Sequence, residues 1–276
     1  EGAAVKLHWG PVTKGVNGTL ERAGAIAYKV YMHETNPYFN PDAEGTLLAT
    51  TADTSLMVNS ESLRQYYVVR AVDADNHSGI SRRVGKYGFS LITAAKPRYN
   101  YISLPLETEI SDARELAEAI GAGVKVVLRI DPVTNGYSTY YLPDLNYPAT
   151  PFALHEGMPV LIQADESAPA SWFYCGAVPE AGEFQFALNR EHKFSYNEII
   201  VPLNRSDITN AAELAAEIGG VEVLLKIGAD GRGFTNYWLP SLNFGNPMTP
   251  FSVAPGEPVL IQVNKTAPAL WPTYTR

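Results

Sequence analysis

Five histidines (His8, His33, His77, His155 and His192) and one cysteine (Cys175) are the side chains from which metal or nucleophilic chemistry would have to be built. The histidines are scattered without metal-ligand spacing and no cysteine accompanies them, so no zinc site is expected. The chain has no Gly-x-Ser-x-Gly elbow and no Gly-x-x-x-x-Gly-Lys-Ser/Thr loop, and most carboxylates fall at helix caps or turns. Asp73-Ala74-Asp75-Asn76-His77-Ser78-Gly79 sets oxygen ligands at alternate positions, as a calcium loop does. It lacks the bidentate glutamate, and turn chemistry accounts for it better. A lone cysteine forms no internal disulfide and reads as a small buried hydrophobe. The expectation is a protein without cofactor, metal or catalytic activity.

The aromatic residues carry more information. Tyr137, Tyr140, Tyr141, Tyr147 and Trp172 are echoed by Phe234, Tyr237, Trp238, Phe244 and Trp271. Consecutive strand residues face opposite ways, so Tyr140 and Tyr141 cannot both point into one core, nor can Tyr237 and Trp238. An exposed member of each pair could stack on a sugar ring or pack against a neighbouring subunit. The competing reading is that these aromatics cover their own hydrophobic core. Tyr140, Tyr141, Tyr237 and Trp238 are the candidate contact residues.

The echo belongs to a larger repeat. Tyr99-Asn100-Tyr101-Ile102-Ser103-Leu104-Pro105-Leu106 returns at an offset of 97 as Tyr196-Asn197-Glu198-Ile199-Ile200-Val201-Pro202-Leu203. Thr150-Pro151-Phe152, Gly157-Met158-Pro159-Val160-Leu161-Ile162-Gln163 and Ala168-Pro169-Ala170-Ser171-Trp172 return at an offset of 99, as Thr249-Pro250-Phe251, Gly256-Glu257-Pro258-Val259-Leu260-Ile261-Gln262 and Ala267-Pro268-Ala269-Leu270-Trp271. Residues 85–181 and 182–276 are therefore expected to be tandem modules of one fold, differing in the loop before Thr150 and Thr249. Duplicated modules supply length and repeated contacts more often than a single asymmetric catalytic site.

Each module should open with short strands and continue into a helix. Asp112-x-x-Glu115 and Asn210-x-x-Glu213 have the form of capping boxes, Leu116 with Ile120 and Leu214 with Ile218 share a face, and Gly121 or Gly219 ends the helix. A buried strand follows (124–130 or 221–227), then a turn with Asn135-Gly136 or Asp230-Gly231, a partner strand, and late strands at Pro159 or Pro258 and at Trp172 or Trp271. That is a β-rich α+β unit with one helix closing a sheet.

Residues 1–84 alternate as a sandwich does: Val5, Leu7 and Trp9, then Tyr28, Val30 and Tyr31, then Tyr67, Val69 and Ala71, with turn residues between them. Val5-x-Leu7-x-Trp9-Gly10-Pro11, Tyr28-Lys29-Val30-Tyr31, Leu48-Ala49-Thr50-Thr51 and Tyr67-Val68-Val69-Arg70-Ala71-Val72-Asp73, closing on Gly79-Ile80-Ser81, resemble a fibronectin type III domain from its second strand to its last. The resemblance implies that Trp9 and Tyr67 are core residues. It also implies a first strand for which Glu1–Ala4 leave little room, so the edge at Val5, Leu7 and Trp9 is the candidate self-assembly edge. More loosely, residues 85–276 resemble tandem repeats of secreted bacterial surface proteins, which implies an extracellular setting and no defined activity.

The fold class expected is mainly β: a fibronectin type III-like sandwich followed by two tandem β-rich α+β modules. Its 276 residues with 46% hydrophobic content are ample for two or three cores. A net charge of −8 without basic runs argues against nucleic acid as a partner, and no apolar stretch is long enough to span a bilayer. Short linkers at 83–86 and 179–182 suit a stiff rod. The leading expectation is a secreted or cell-surface structural or adhesive protein that self-associates by strand complementation into a filament. The runner-up is a carbohydrate-binding accessory module with a polysaccharide as partner. Asn17, Asn76, Asn204 and Asn264 stand in glycosylation patterns that matter only in a glycosylating source.

Overall fold

The computed structural model describes residues 3–12, 26–73, 77–131, 134, 136–137, 139–145, 151–191, 196–238 and 249–272; for residues 3, 77, 78, 139 and 235–238 it describes the backbone alone. The protein is mainly β, with antiparallel sheets and two short helices. Its contacts divide it into two compact units: residues 1–88 with 173–178, and residues 89–172 with 179–276.

In the first unit, β1 (Ala3–His8) pairs, among the described residues, only with β4 (Ser55–Ser60). The facing sheet is built on β5 (Arg64–Val72), flanked by β2 (Ala27–His33), which carries β3 (Thr46–Thr51) at its edge. On the other side of β5 lie β6 (His77–Ile80) and β7 (Val84–Ser90). Val5 and Leu7 of β1, Val30 of β2 and Tyr67 of β5 make the core between the sheets, with Trp9, Leu56, Val58 and Val69 packed against it. Trp9 is thus partly buried against this core and Tyr67 fully so.

β5 is buried on both faces, which its sequence also allows. Tyr66 and Val68 point away from Tyr67 and are 1% and 0% exposed. Phe39, fully buried, belongs to the connection between β2 and β3, where the Asn40 carbonyl accepts from the Ala43, Glu44 and Gly45 amides and Arg83 donates to the Phe39 carbonyl. That connection supplies a second apolar layer which no strand periodicity announces.

β7 receives a further neighbour from far along the chain. β12 (Ser171–Ala177) lies at the sheet edge beside β7, and the Val178 amide donates to the Arg83 carbonyl at 2.9 Å. Trp172 and Tyr174 are buried, and Cys175 on the alternate face is exposed, contrary to the reading of a lone cysteine as a buried hydrophobe. Strand alternation decides this: Cys175 falls on the opposite parity from the two aromatics that the core takes.

The second unit holds two sheets of the same element order. β8 (Arg98–Ser103), β9 (Val124–Arg129), β10 (Thr139–Tyr141) and β11 (Pro159–Ala164) pair in the order β10-β9-β11-β8. After the two-residue β13 (Phe186–Ala187) come β14 (Tyr196–Ile200), β15 (Val221–Ile227), β16 (Phe234–Trp238) and β17 (Pro258–Val263), paired in the order β14-β17-β15-β16. β18 (Leu270–Trp271) pairs with β13. Helices α1 (Ala113–Ile120) and α2 (Ala211–Ile218) each lie on one sheet, α1 against β9 and β10 and α2 against β15. Ala211, Leu214, Ala215 and Ile218 of α2 bury the face formed by Ile199, Val221, Leu224, Val259, Ile261 and Val263.

The helix starts widen the expected capping box by one residue: the Asp112 and Asn210 amides contribute to Glu115 and Glu213, but more weakly than the residue before each cap. Asp112 and Asn210 accept from the amides two and three residues on, as caps do. Glu115 and Glu213 reach past them, accepting from the amide and hydroxyl of Ser111 and of Thr209. The Pro-Phe segments bond to the same turn: Ala113 and Ala211 donate to the carbonyls of Phe152 and Phe251.

Two further repeated residues have local reasons. Gly123 (φ +88°) and Gly220 (φ +64°) run so close to the following loop that an added Cβ would lie 2.2 Å from the Ala168 amide nitrogen and 2.4 Å from that of Ala267. Buried Asn100 clamps Ile92, accepting from its amide at 2.6 Å and donating to its carbonyl at 3.0 Å; Asn197 clamps Asn189 in the same way. The loops expected to differ between the copies, and the residues past Pro272, lie outside the described residues. Asn100→Leu and Asn197→Leu each strand a buried amide and carbonyl, and each should lower unfolding stability by roughly 1–3 kcal/mol in urea titrations.

Candidate functional site

The β1 edge is set by its pairing with β4. Trp9 donates its amide to the Thr54 carbonyl at 3.0 Å, and the register continues as Leu7↔Leu56 and Val5↔Val58. In an antiparallel pair the backbone groups of alternate residues point to opposite sides. Those of Val5 and Leu7 therefore turn toward β4, and those of Ala4, Lys6 and His8 turn outward. Among the described residues nothing pairs with that outer side. Side chains alternate in step: Val5 and Leu7 are buried, while Ala4, Lys6 and His8 are exposed. Trp9 adds an indole Nε1 with no acceptor among the described residues. Chemically, the edge offers a ladder of donors and acceptors to an extended chain.

The aromatic candidates are distributed differently from a single platform. Tyr141 is buried at the helix side, where the Arg114 guanidinium lies 5.9 Å from its ring centre. Tyr140 is half-buried and Tyr137 is 47% exposed. Tyr237 and Trp238 stand opposite Leu225 and Leu224 in the β15–β16 ladder; their side chains, like Tyr147 and Phe244, lie outside the described residues.

Sequence reading missed the buried polar seam between the two four-stranded sheets. Tyr101 on β8 and Glu198 on β14 occupy the same position in the repeat, and the Tyr101 hydroxyl donates to Glu198 Oε1 at 3.1 Å. Tyr101 also meets Phe234 edge-on at 6.3 Å, Tyr99 donates its amide to the Gly231 carbonyl, and Ser103 Oγ donates to the Gly256 carbonyl at 2.6 Å. Burial pushes the Glu198 carboxyl up to about 7; the Tyr101 hydroxyl, the Ile130 amide and Arg129 pull it back only in part. Burial and the facing carboxylate hold the Tyr101 phenol well above its usual range. The signal was present in the sequence as a Glu standing where the other copy has Tyr, but only packing reveals that the two positions meet.

Lys86 was missed as well. It is 1% exposed, its Nζ donates to the Ser60 carbonyl at 3.0 Å and lies 4.9 Å from the Phe173 ring centre, and desolvation lowers its pKa. It ties β7 to the end of β4 and lies within electrostatic reach of Cys175, whose charge opposes the desolvation.

Among the described residues no three of His, Cys, Asp and Glu are grouped to hold a metal ion, and no helix is long and apolar enough to cross a membrane. No protein-family model matches the chain, and no curated protein or solved structure matches it.

Glu198 gives a signed pH dependence. The folded state keeps the carboxyl proton up to about pH 7, whereas the unfolded chain releases it near 4.5, so stability is full below 4.5 and falls as pH rises to about 7. The loss attributable to this group should be of order 3 kcal/mol, and Glu198→Gln should remove it. Urea midpoints of both proteins between pH 4.5 and 8 check this.

Proposed function

We propose that this chain is a non-enzymatic structural or adhesive protein of the cell exterior, a filament subunit assembled by strand complementation at the β1 edge. The observation that carries the reading is the unpaired outer side of β1, with Ala4, Lys6 and His8 presenting their backbone groups over buried Val5 and Leu7. Such an edge is a template for another chain unless something blocks or covers it. A precedent within the molecule supports it: β12, separated from β7 by the whole first sheet of the second unit, pairs with β7. Head-to-tail addition of this kind yields a filament when the rotation between successive subunits does not close a ring.

The finer assignments belong to the same proposal. The grouping of β1 and β4 against β2, β3, β5 and β7 supports a fibronectin type III sandwich counted from its second strand. The matching orders β10-β9-β11-β8 and β16-β15-β17-β14, with equivalent helices, support tandem modules. The extracellular setting rests on the resemblance to repeats of secreted proteins.

A second reading, a carbohydrate-binding accessory module, draws on exposed Tyr137, which has an apolar face available for a sugar ring. Affinity electrophoresis in soluble polysaccharides should then show retardation that Tyr137→Ala abolishes; unretarded wild-type protein removes this reading.

For the leading reading, sedimentation velocity at micromolar concentration should give species larger than a monomer. Lys6→Pro should give monomers with unchanged circular dichroism, because the lost amide points away from β4 and proline is tolerated on such an edge. A monomeric wild type rejects assembly.

A further inference from the structure

A groove of about 570 Å³ lies within the first unit, along the open side of β1. β1 from Val5 to Trp9 forms one wall, Tyr67 and Val69 of β5 lie behind, and Ser81, Arg82, Val84 and Gly85 with Cys175–Ala177 of β12 complete it. Val84 in this lining is 37% exposed, an apolar side chain left partly uncovered. Among the described residues no aspartate or glutamate lines the groove, whereas Lys6, His8 and Arg82 do, all with exposed side chains. The chain as a whole carries 29 acidic against 21 basic residues, so the groove is a cationic site on an acidic protein.

We infer that this groove receives an extended strand of a second copy, one that sets carboxylates opposite Lys6 and His8 and an apolar side chain opposite Leu7. The inference rests on the strand-complementation reading and specifies its donor. Three observations fix the occupant. The outward amides and carbonyls of Ala4, Lys6 and His8 are spaced two residues apart, a ladder that extended backbone matches and that a helix or a compact ligand does not. Cross-strand neighbours share a face. Residues opposite exposed Lys6 and His8 therefore stay at the surface beside two basic side chains, while the residue opposite Leu7 enters the apolar groove over Tyr67, Val69 and Val84. The groove also continues an existing strand-addition seam, since its far wall is β12, the strand already added beside β7. Acid, apolar, acid is the resulting donor pattern, and a net acidic chain is a better source of it than a basic one.

Cys175 is a native reporter, because it is the only cysteine, is exposed and lines the groove. The test measures maleimide alkylation of Cys175 in the full chain with three synthetic ten-residue peptides. One alternates valine with glutamate, one alternates valine with lysine, and one is the glutamate peptide N-methylated at every second amide. The glutamate peptide should slow alkylation at least tenfold, the other two should not, and Lys6→Pro should abolish the protection. Equal protection by the lysine peptide, no protection by any peptide, or protection by a soluble polysaccharide overturns the inference. Assembly without change in Cys175 alkylation also overturns it and leaves self-assembly to another edge. Protection by the glutamate peptide in a chain that stays monomeric overturns a second copy as the occupant, and the filament reading with it, and leaves only the groove's preference for an acidic strand.

Discussion

A four-stranded sheet has two faces and an eight-residue helix covers only one. In the second unit both faces of the central strands are apolar: Val160, Leu161 and Ile162 are buried in succession on β11, as are Val259, Leu260 and Ile261 on β17. With one face of each sheet under a helix, the other must find a partner, and the nearest surface of the same shape is the other sheet. The contacts of β8 with β15 and β17, and of β11 with β14, are that solution. Either sheet with its helix alone would leave one such face in water, and the two sheets of this unit cover each other instead.

Stacking two copies brings repeat-equivalent positions together, and identical residues are then not always the best choice. Tyr101 and Glu198 occupy the same position and meet, a phenol donating to a carboxyl where both side chains are partly buried. Two glutamates there would repel, whereas the mixed pair is a hydrogen bond whose cost is the desolvation that raises the carboxyl. Divergence between the copies at this place has a physical reason, while Asn100 and Asn197, which serve their own sheets, remain the same residue.

The first unit meets the related constraint of unpaired edges in two ways. Beside β7 the edge is extended by β12, and the first unit thereby includes residues 173–178 from far along the chain. Beside β1 the described residues leave the edge open and carry Lys6 on it, the kind of charged side chain by which edge strands discourage indiscriminate pairing.

Much of the local structure was legible in the sequence. The helices with their caps, the glycines that end them, the strands at Pro159 and Pro258 and the buried parity of Val5, Leu7 and Tyr67 follow from periodicity and capping chemistry, which act within a few residues. The exact partner of Glu115 and Glu213 was not legible, because one residue of reach separates Ser111 from Asp112. Nor were the second layer under Phe39, the exposure of Cys175, the buried Lys86 or the Tyr101–Glu198 pair. Sequence determines which way each side chain faces relative to its neighbours. Whether that face is covered depends on which distant segment packs over it, and contacts between residues nearly a hundred positions apart are decided only by the tertiary structure.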